Sequence, residues 1–97
     1  MMFMVTTSDV DGVDWKDKDD VLREEAEYIW NLQKSGAVRN IWFTDPERDA
    51  VILFDAESWE KVQELTRNMP LVKNSLITCR IKHLNAYDGY ERLFKRN

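Results

Sequence analysis

Apolar positions along the chain follow two periods in turn, and the switches between them predict six elements. Residues 2 to 7 (MFMVTT) are short, apolar and β-prone, as expected of a strand. A polar, Asp-rich loop follows over 8 to 19, around Gly12. From 19 to 35 the spacing becomes three and four residues. At about 100° per residue Leu22, Ala26, Ile29, Leu32 and Gln33 fall on one helical face. Asp19 and Asp20 stand at its start and Gly36 just past its end. Residues 37 to 44 (AVRNIWFT) and 50 to 55 (AVILFD) read as strands joined by the polar turn Asp45-Pro46-Glu47-Arg48-Asp49, a β-hairpin. A second helix spans 57 to 68, with Trp59, Val62, Leu65 and Met69 at helical steps, Ser58 near its start and Pro70 as its stop. Residues 75 to 84 alternate: Ile77, Cys79, Ile81 and His83 face one way, Thr78, Arg80 and Lys82 the other. That is a half-buried strand. In the tail, 85 to 97, Tyr87, Tyr90, Leu93 and Phe94 need something to pack on, and a short helix would align Tyr87, Tyr90 and Phe94.

The order β-α-β-β-α-β predicts an α+β, ferredoxin-like domain with a four-stranded antiparallel sheet. Two helices cover only one face of such a sheet. Yet the hairpin is apolar on both sides, with Val51 and Leu53 opposite Ile52 and Phe54, and with Ile41 and Phe43 opposite Val38 and Trp42. A sheet apolar on both faces calls for sheet-to-sheet pairing of two copies, a dimeric α+β barrel. Residues 1 to 97 then form one domain, with 84 to 97 as an oligomerisation tail, and the partner is a homodimer or a higher homo-oligomer.

Size and charge narrow the function classes. Ninety-seven residues suit one domain and exclude a propeller or an eight-fold barrel. Acidic residues outnumber Lys plus Arg by 18 to 14, so no chain-wide basic footprint for nucleic acid exists. No apolar run reaches the ~18 residues of a membrane span, and the MMFMV start is too short and lacks the basic flank of a signal peptide. A lone Cys79 cannot form an internal disulfide, which fits a reducing, cytoplasmic setting. The Asp-rich loop does not match a calcium-binding loop, because a count from Asp9 puts Val13 at the fifth position and Gly12 at the fourth. One Cys and one His make no zinc site. Phosphate loops, nucleophile elbows and the aromatic signature of RNA-binding sheets are all missing, and no cofactor is expected.

The sharpest chemical feature is Glu25. It lies inside the apolar arc of the first helix, about 20° from Leu32 and about 40° from Ile29, while Glu24 and Glu27 fall outside. A carboxylate aimed at the core has a raised pKa and suits general acid/base work; the alternative is a rim position paired with Lys or Arg. His83, the only histidine, is either a second catalytic group or a satisfied strand-end residue. Trp42, Trp59 and Trp30 are pocket walls or core and interface packing, and Trp15 closes a pocket mouth or anchors its loop. Asn40, within a strand beside Val38 and Trp42, is a candidate for substrate hydrogen bonding. Tyr28 flanks the helix's apolar arc and has a hydroxyl to offer.

Gly36, Trp42, Phe54-Asp55-x-x-Ser58-x-Glu60 and Met69-Pro70-Leu71 resemble the muconolactone isomerase family of the dimeric α+β barrel superfamily, over roughly residues 20 to 82. YCII-like proteins are neighbours in that superfamily. The resemblance implies a small cofactor-independent enzyme that moves a proton within an unsaturated lactone. It also places Glu25, counted back from Gly36, on the family's acid of the first helix. The Asp-rich loop and the tail after His83 depart from the family. Two readings follow. In the first, an isomerase-like or lyase-like enzyme acts on a small cyclic or aromatic-derived acid or lactone, with Glu25 as acid/base. Asn40, Tyr28 and His83 orient the substrate there, between Trp42 and Trp59. In the second, a non-catalytic small-ligand-binding or assembly protein uses the same barrel.

Overall fold

In a computed structural model, which describes residues 1–95, the tightest packing runs along alternate residues of the first strand. That strand, β1 (Met2–Asp9), buries Phe3, Val5 and Thr7 and leaves Met2, Met4 and Thr6 half-exposed on the other side. The two-residue period of a strand produces this split. The chain continues through helix α1 (Asp19–Ser35), β2 (Val38–Phe43), β3 (Ala50–Asp55), α2 (Trp59–Arg67), a one-turn helix α3 (Pro70–Lys73) and β4 (Ile77–Leu84). A short 3-10 turn covers Gly89–Leu93. The sheet order is β2-β3-β1-β4, with every neighbouring pair antiparallel. This is the ferredoxin-like α+β arrangement expected from the element order.

Local chemistry accounts for the helix ends. Asp19 and Asp20 occupy the first turn of α1, where negative charge is favourable against the helix dipole. Gly36 ends it at φ 88°, and its N–H donates to the Gln33 carbonyl. Glycine takes that left-handed conformation without the penalty a Cβ brings. The Ser58 hydroxyl caps α2 by accepting from the Lys61 N–H at 3.0 Å. Past Arg67 the chain turns and re-enters helix at Pro70, whose missing N–H suits a first helical position. The sequence signal at Pro70 was a helix stop; it is also the start of α3.

The core lies between the sheet and the helices. Phe3, Val5, Ile52, Phe54, Val38 and Ile77 meet Ile29 of α1, Val62 of α2 and Met69 and Leu71 around α3. One expectation for β2 fails. Alternation puts Val38 on the same face as Asn40 and Trp42, but a β-bulge separates them: Val38 pairs with Phe54 and Asn40 with its immediate neighbour Leu53. The extra residue switches faces. Val38 is therefore buried under the helices, while Asn40 and Trp42 lie on the uncovered face. That face also carries Met2, Met4, Val51, Leu53 and Leu84 by register. Beyond β4 the tail does not fold back. The molecule is 63 Å long and its radius of gyration is 16.3 Å, against about 13 Å for a compact chain of this size. Tyr87, Tyr90, Leu93 and Phe94 are all well exposed on this arm, where the Tyr87 ring covers Gly89 and meets Tyr90 edge-on at 4.8 Å.

Candidate active site

The α1 helix presents two facets. Val21, Tyr28 and Leu32 pack on the core, while Leu22, Ala26, Trp30 and Gln33 border a cavity of about 670 Å³ between α1 and the sheet. Glu25 and Ile29 stand where the two facets meet. Across from α1, the sheet supplies Thr7, Ile41, Phe43, Ala50, Ile52 and Ile77, all from the helix-covered side. Met69 and Leu71 line the cavity from the α3 segment. The walls are mostly apolar, with few polar groups, as small-molecule sites are.

Glu25 is the acidic group inside. Its Oε1 accepts a hydrogen bond from the Leu71 backbone N–H at 3.0 Å. That N–H is free to donate because Leu71 sits in the first turn of α3 and has no partner within the helix. Oε2 has no protein partner, and no cation pairs with Glu25 among the described residues. Burial pushes the carboxyl pKa up, and the Leu71 hydrogen bond pulls it part of the way back. The result is a carboxylate more basic than usual, held at one oxygen and free at the other.

The remaining groups line the cavity from its rim to its buried wall. Trp15 donates its indole N–H to Asp9 Oδ2 at 3.2 Å, so the ring both lines the mouth and anchors the Asp-rich loop. Arg48 reaches over the Phe43 ring at 4.6 Å, from a backbone with φ 57°. A non-glycine residue in that left-handed region is uncommon, and here the turn is fixed by Thr44, which binds the N–H groups of Arg48 and Asp49. Thr7 is 6% exposed, and its Oγ1 accepts from the Ala50 N–H at 2.9 Å. Cys79 lies next to this region on β4, but burial and the nearby Glu25 charge push its thiol up to about 11, so it stays protonated at neutral pH. Among the described residues, no three His, Cys, Asp or Glu side chains gather to hold a metal ion.

Of the eight residues singled out from sequence, the cavity is lined by Glu25, Trp15 and Trp30, while Tyr28, His83, Asn40, Trp42 and Trp59 lie outside it. Tyr28 is a neighbour of Glu25, whose charge helps raise its pKa after burial does, but its hydroxyl donates to the Leu65 carbonyl at 2.7 Å and so ties α1 to α2. His83 and Trp59 meet instead at Phe3, with ring centroids 5.1 and 5.8 Å away respectively. Phe3 and Thr7 are four residues apart on β1, roughly 13 Å, so His83 sits at the far end of the sheet from the cavity, on an exposed strand end. Asn40 and Trp42 point away from the cavity altogether. The lining residues that sequence reasoning passed over, Thr7, Phe43 and Arg48, gave little signal. Thr7 read as one β-former among several, and Arg48 as part of a solvated turn.

The muconolactone delta-isomerase family profile matches residues 1–89. No curated protein sequence matches the chain. Among solved structures, muconolactone isomerase superposes with a TM-score of 0.75 at 22% identity, covering 91% of this chain and 92% of its own. The 5-chloro-2-hydroxyhydroquinone dehydrochlorinase of Burkholderia phenoliruptrix, solved with 2,5-dihydroxybenzoquinone, gives 0.73 at 17% identity over 92% and 98%. A Streptococcus pneumoniae protein, SP2199, gives 0.53 at 13% identity over 98% and 100%. With a family match over nearly its whole length and the same fold in these neighbours, the chain belongs to the muconolactone delta-isomerase family.

Proposed function

We propose that this protein is a small enzyme that needs no cofactor and moves a proton within an unsaturated ring compound, with Glu25 as the proton carrier. The observation that carries the reading is the Glu25 carboxylate itself: held by the Leu71 N–H, paired with no cation among the described residues, and facing a mostly apolar cavity. A base of raised pKa in such surroundings takes a proton from carbon more readily than an exposed carboxylate does. The electron pair left on carbon delocalises into the ring and its carbonyl. Protonated Glu25 then returns the proton at another carbon, or the pair expels a leaving group.

Membership of the family supports a lactone as substrate class, and the dehydrochlorinase neighbour, solved with a quinone, supports a planar oxygenated ring. Cavity size agrees with both, since about 670 Å³ lies within the ordinary range of small-molecule sites. His83, Trp59, Asn40 and Trp42 lie outside the cavity and have no part in this reading. The test is turnover of a panel of unsaturated γ-lactones and hydroxylated quinols by wild type and Glu25→Gln. At least one compound turns over, and the substitution lowers its rate roughly 100-fold or more with the fold retained. Full activity in Glu25→Gln would end the proposal.

The uncovered sheet face completes the reading at the level of assembly. Met4, Leu53, Val51 and Trp42 form an apolar surface with no helix over it, and we assign it to pairing with a second copy. The arm over residues 85–95, with its exposed Tyr87, Tyr90, Leu93 and Phe94, serves the same assembly.

A further inference from the structure

Thr7 is a polar side chain inside an apolar wall. Its Oγ1 accepts the Ala50 N–H, which takes the place of a ladder bond where the β1–β3 pairing ends at Thr6 and Val51. That contact uses a lone pair of the hydroxyl and fixes the position of Oγ1. The hydroxyl proton makes no donated hydrogen bond among the described residues. Oγ1 is satisfied by the Ala50 N–H, as is every buried side-chain polar atom among the described residues, and the hydroxyl proton left over is available to a ligand that supplies an acceptor.

The other polar groups of the cavity do not serve this purpose. Asp9, Glu25 and Glu47 accept but do not donate when ionised. The Trp15 N–H is spent on Asp9, and Gln33 and Arg48 are exposed at the rim. Thr7 is thus the buried neutral donor that shares the cavity with Glu25.

We infer that Thr7 donates a hydrogen bond to a carbonyl oxygen of the ligand, and that the cavity thereby selects ring compounds carrying a carbonyl in conjugation with the carbon that Glu25 deprotonates. This rests on the proposed use of the cavity. When Glu25 removes the proton, negative charge develops on that oxygen, and a preoriented donor stabilises it without giving up its own proton. The proton balance is closed between carbon and Glu25, and Thr7 returns to its starting state.

The experiment uses muconolactone labelled with ¹³C at its lactone carbonyl, bound to full-length protein carrying Glu25→Gln to prevent turnover. Infrared difference spectra report the carbonyl stretch, and tryptophan fluorescence, through Trp15 and Trp30, reports affinity. With Thr7 in place the bound carbonyl moves to lower wavenumber than in water-free solvent. Thr7→Ser keeps that shift. Thr7→Val abolishes it and weakens binding roughly fivefold, as loss of one neutral hydrogen bond does. The dihydrofuran analogue that lacks the carbonyl binds equally with Thr7 or Val at this position. Should Thr7→Val fail to fold, Thr7→Cys, a near-isostere with a weak donor, takes its place. A bound carbonyl with the same frequency in all variants overturns the role of Thr7 and leaves the cavity reading standing. No binding of either ring compound overturns both.

Discussion

Glu25 shows how burial sets the proton affinity of a side chain. Its carboxyl is raised by desolvation and partly restored by the Leu71 N–H, so the folded protein holds its proton to higher pH than the unfolded chain. The sign of the linkage follows. The favourable contribution of Glu25 is present in full below the unfolded carboxyl value and is lost as pH rises through the folded one. Asp55 works in the opposite sense, since Arg39 and the N-terminal ammonium hold its carboxyl low, and its contribution is lost as pH falls. Comparing wild type with Glu25→Gln isolates the first effect. The stability advantage of the Gln variant, measured by urea unfolding, should grow from about pH 4.5 upward and level off above the folded pKa of Glu25. Carbon-detected NMR of the Glu25 carboxyl should show that pKa above the ordinary value. A curve parallel to wild type at all pH values would mean that the carboxylate is solvated. This residue was legible in the sequence because its angular position among Leu32 and Ile29 follows from helical geometry alone. Thr7 was not legible: its significance comes from where β1–β3 pairing stops, a property of two strands 43 residues apart.

At the scale of elements, the short α3 helix and the bulge in β2 decide where the site residues go. The Phe-Asp-x-x-Ser-x-Glu stretch and Pro70 marked α2 and its end, and the structure places α2 within two residues of that reading. The one-turn α3 has too few residues to show periodicity, yet it brings the Leu71 N–H to Glu25. The bulge between Val38 and Asn40 left no mark in composition, and it reverses the facing of Val38 relative to Asn40 and Trp42. Helices α1 and α2 are joined by the Tyr28 hydroxyl on the Leu65 carbonyl. Tyr28→Phe should cost about 1 kcal/mol in chemical denaturation, the net worth of a partly buried hydrogen bond. Ser58→Ala should cost a similar ~1 kcal/mol through the lost cap of α2. Neither touches the cavity, so rates per folded molecule should stay at the wild-type level. A large rate loss in Tyr28→Phe would instead give its hydroxyl a direct part in the chemistry.

At the scale of the whole molecule, one sheet face and one arm lack cover. The alternation of apolar residues on both sides of the hairpin was visible in the sequence and is realised in the fold, with Val51 and Leu53 opposite Ile52 and Phe54. What the pattern could not give was the course of the tail, because its direction after Leu84 depends on contacts that local spacing does not encode. No helix among the described residues is long and apolar enough to cross a membrane. The uncovered sheet face and the exposed aromatic arm are read as surfaces for a second copy because both are apolar and exposed. Stable pairing needs about 800 Å² from each copy. Sedimentation at micromolar concentration should give a dimer or larger. Leu53→Lys, at the centre of the uncovered face, should give a folded monomer. A wild-type monomer under those conditions would refute the barrel assembly and leave the single-chain fold intact.

The measurement that bears most directly on Glu25 as proton carrier is hydrogen exchange between substrate carbon and solvent. Unsaturated γ-lactones, muconolactone first, are incubated with the protein in D₂O, and deuterium at the ring carbons is followed by NMR. Wild type should incorporate deuterium at the carbon adjacent to the conjugated system, and Glu25→Gln should lower that rate roughly 100-fold or more while still binding the lactone. Exchange undiminished in Glu25→Gln, or absent across the lactones with wild type, would contradict the account.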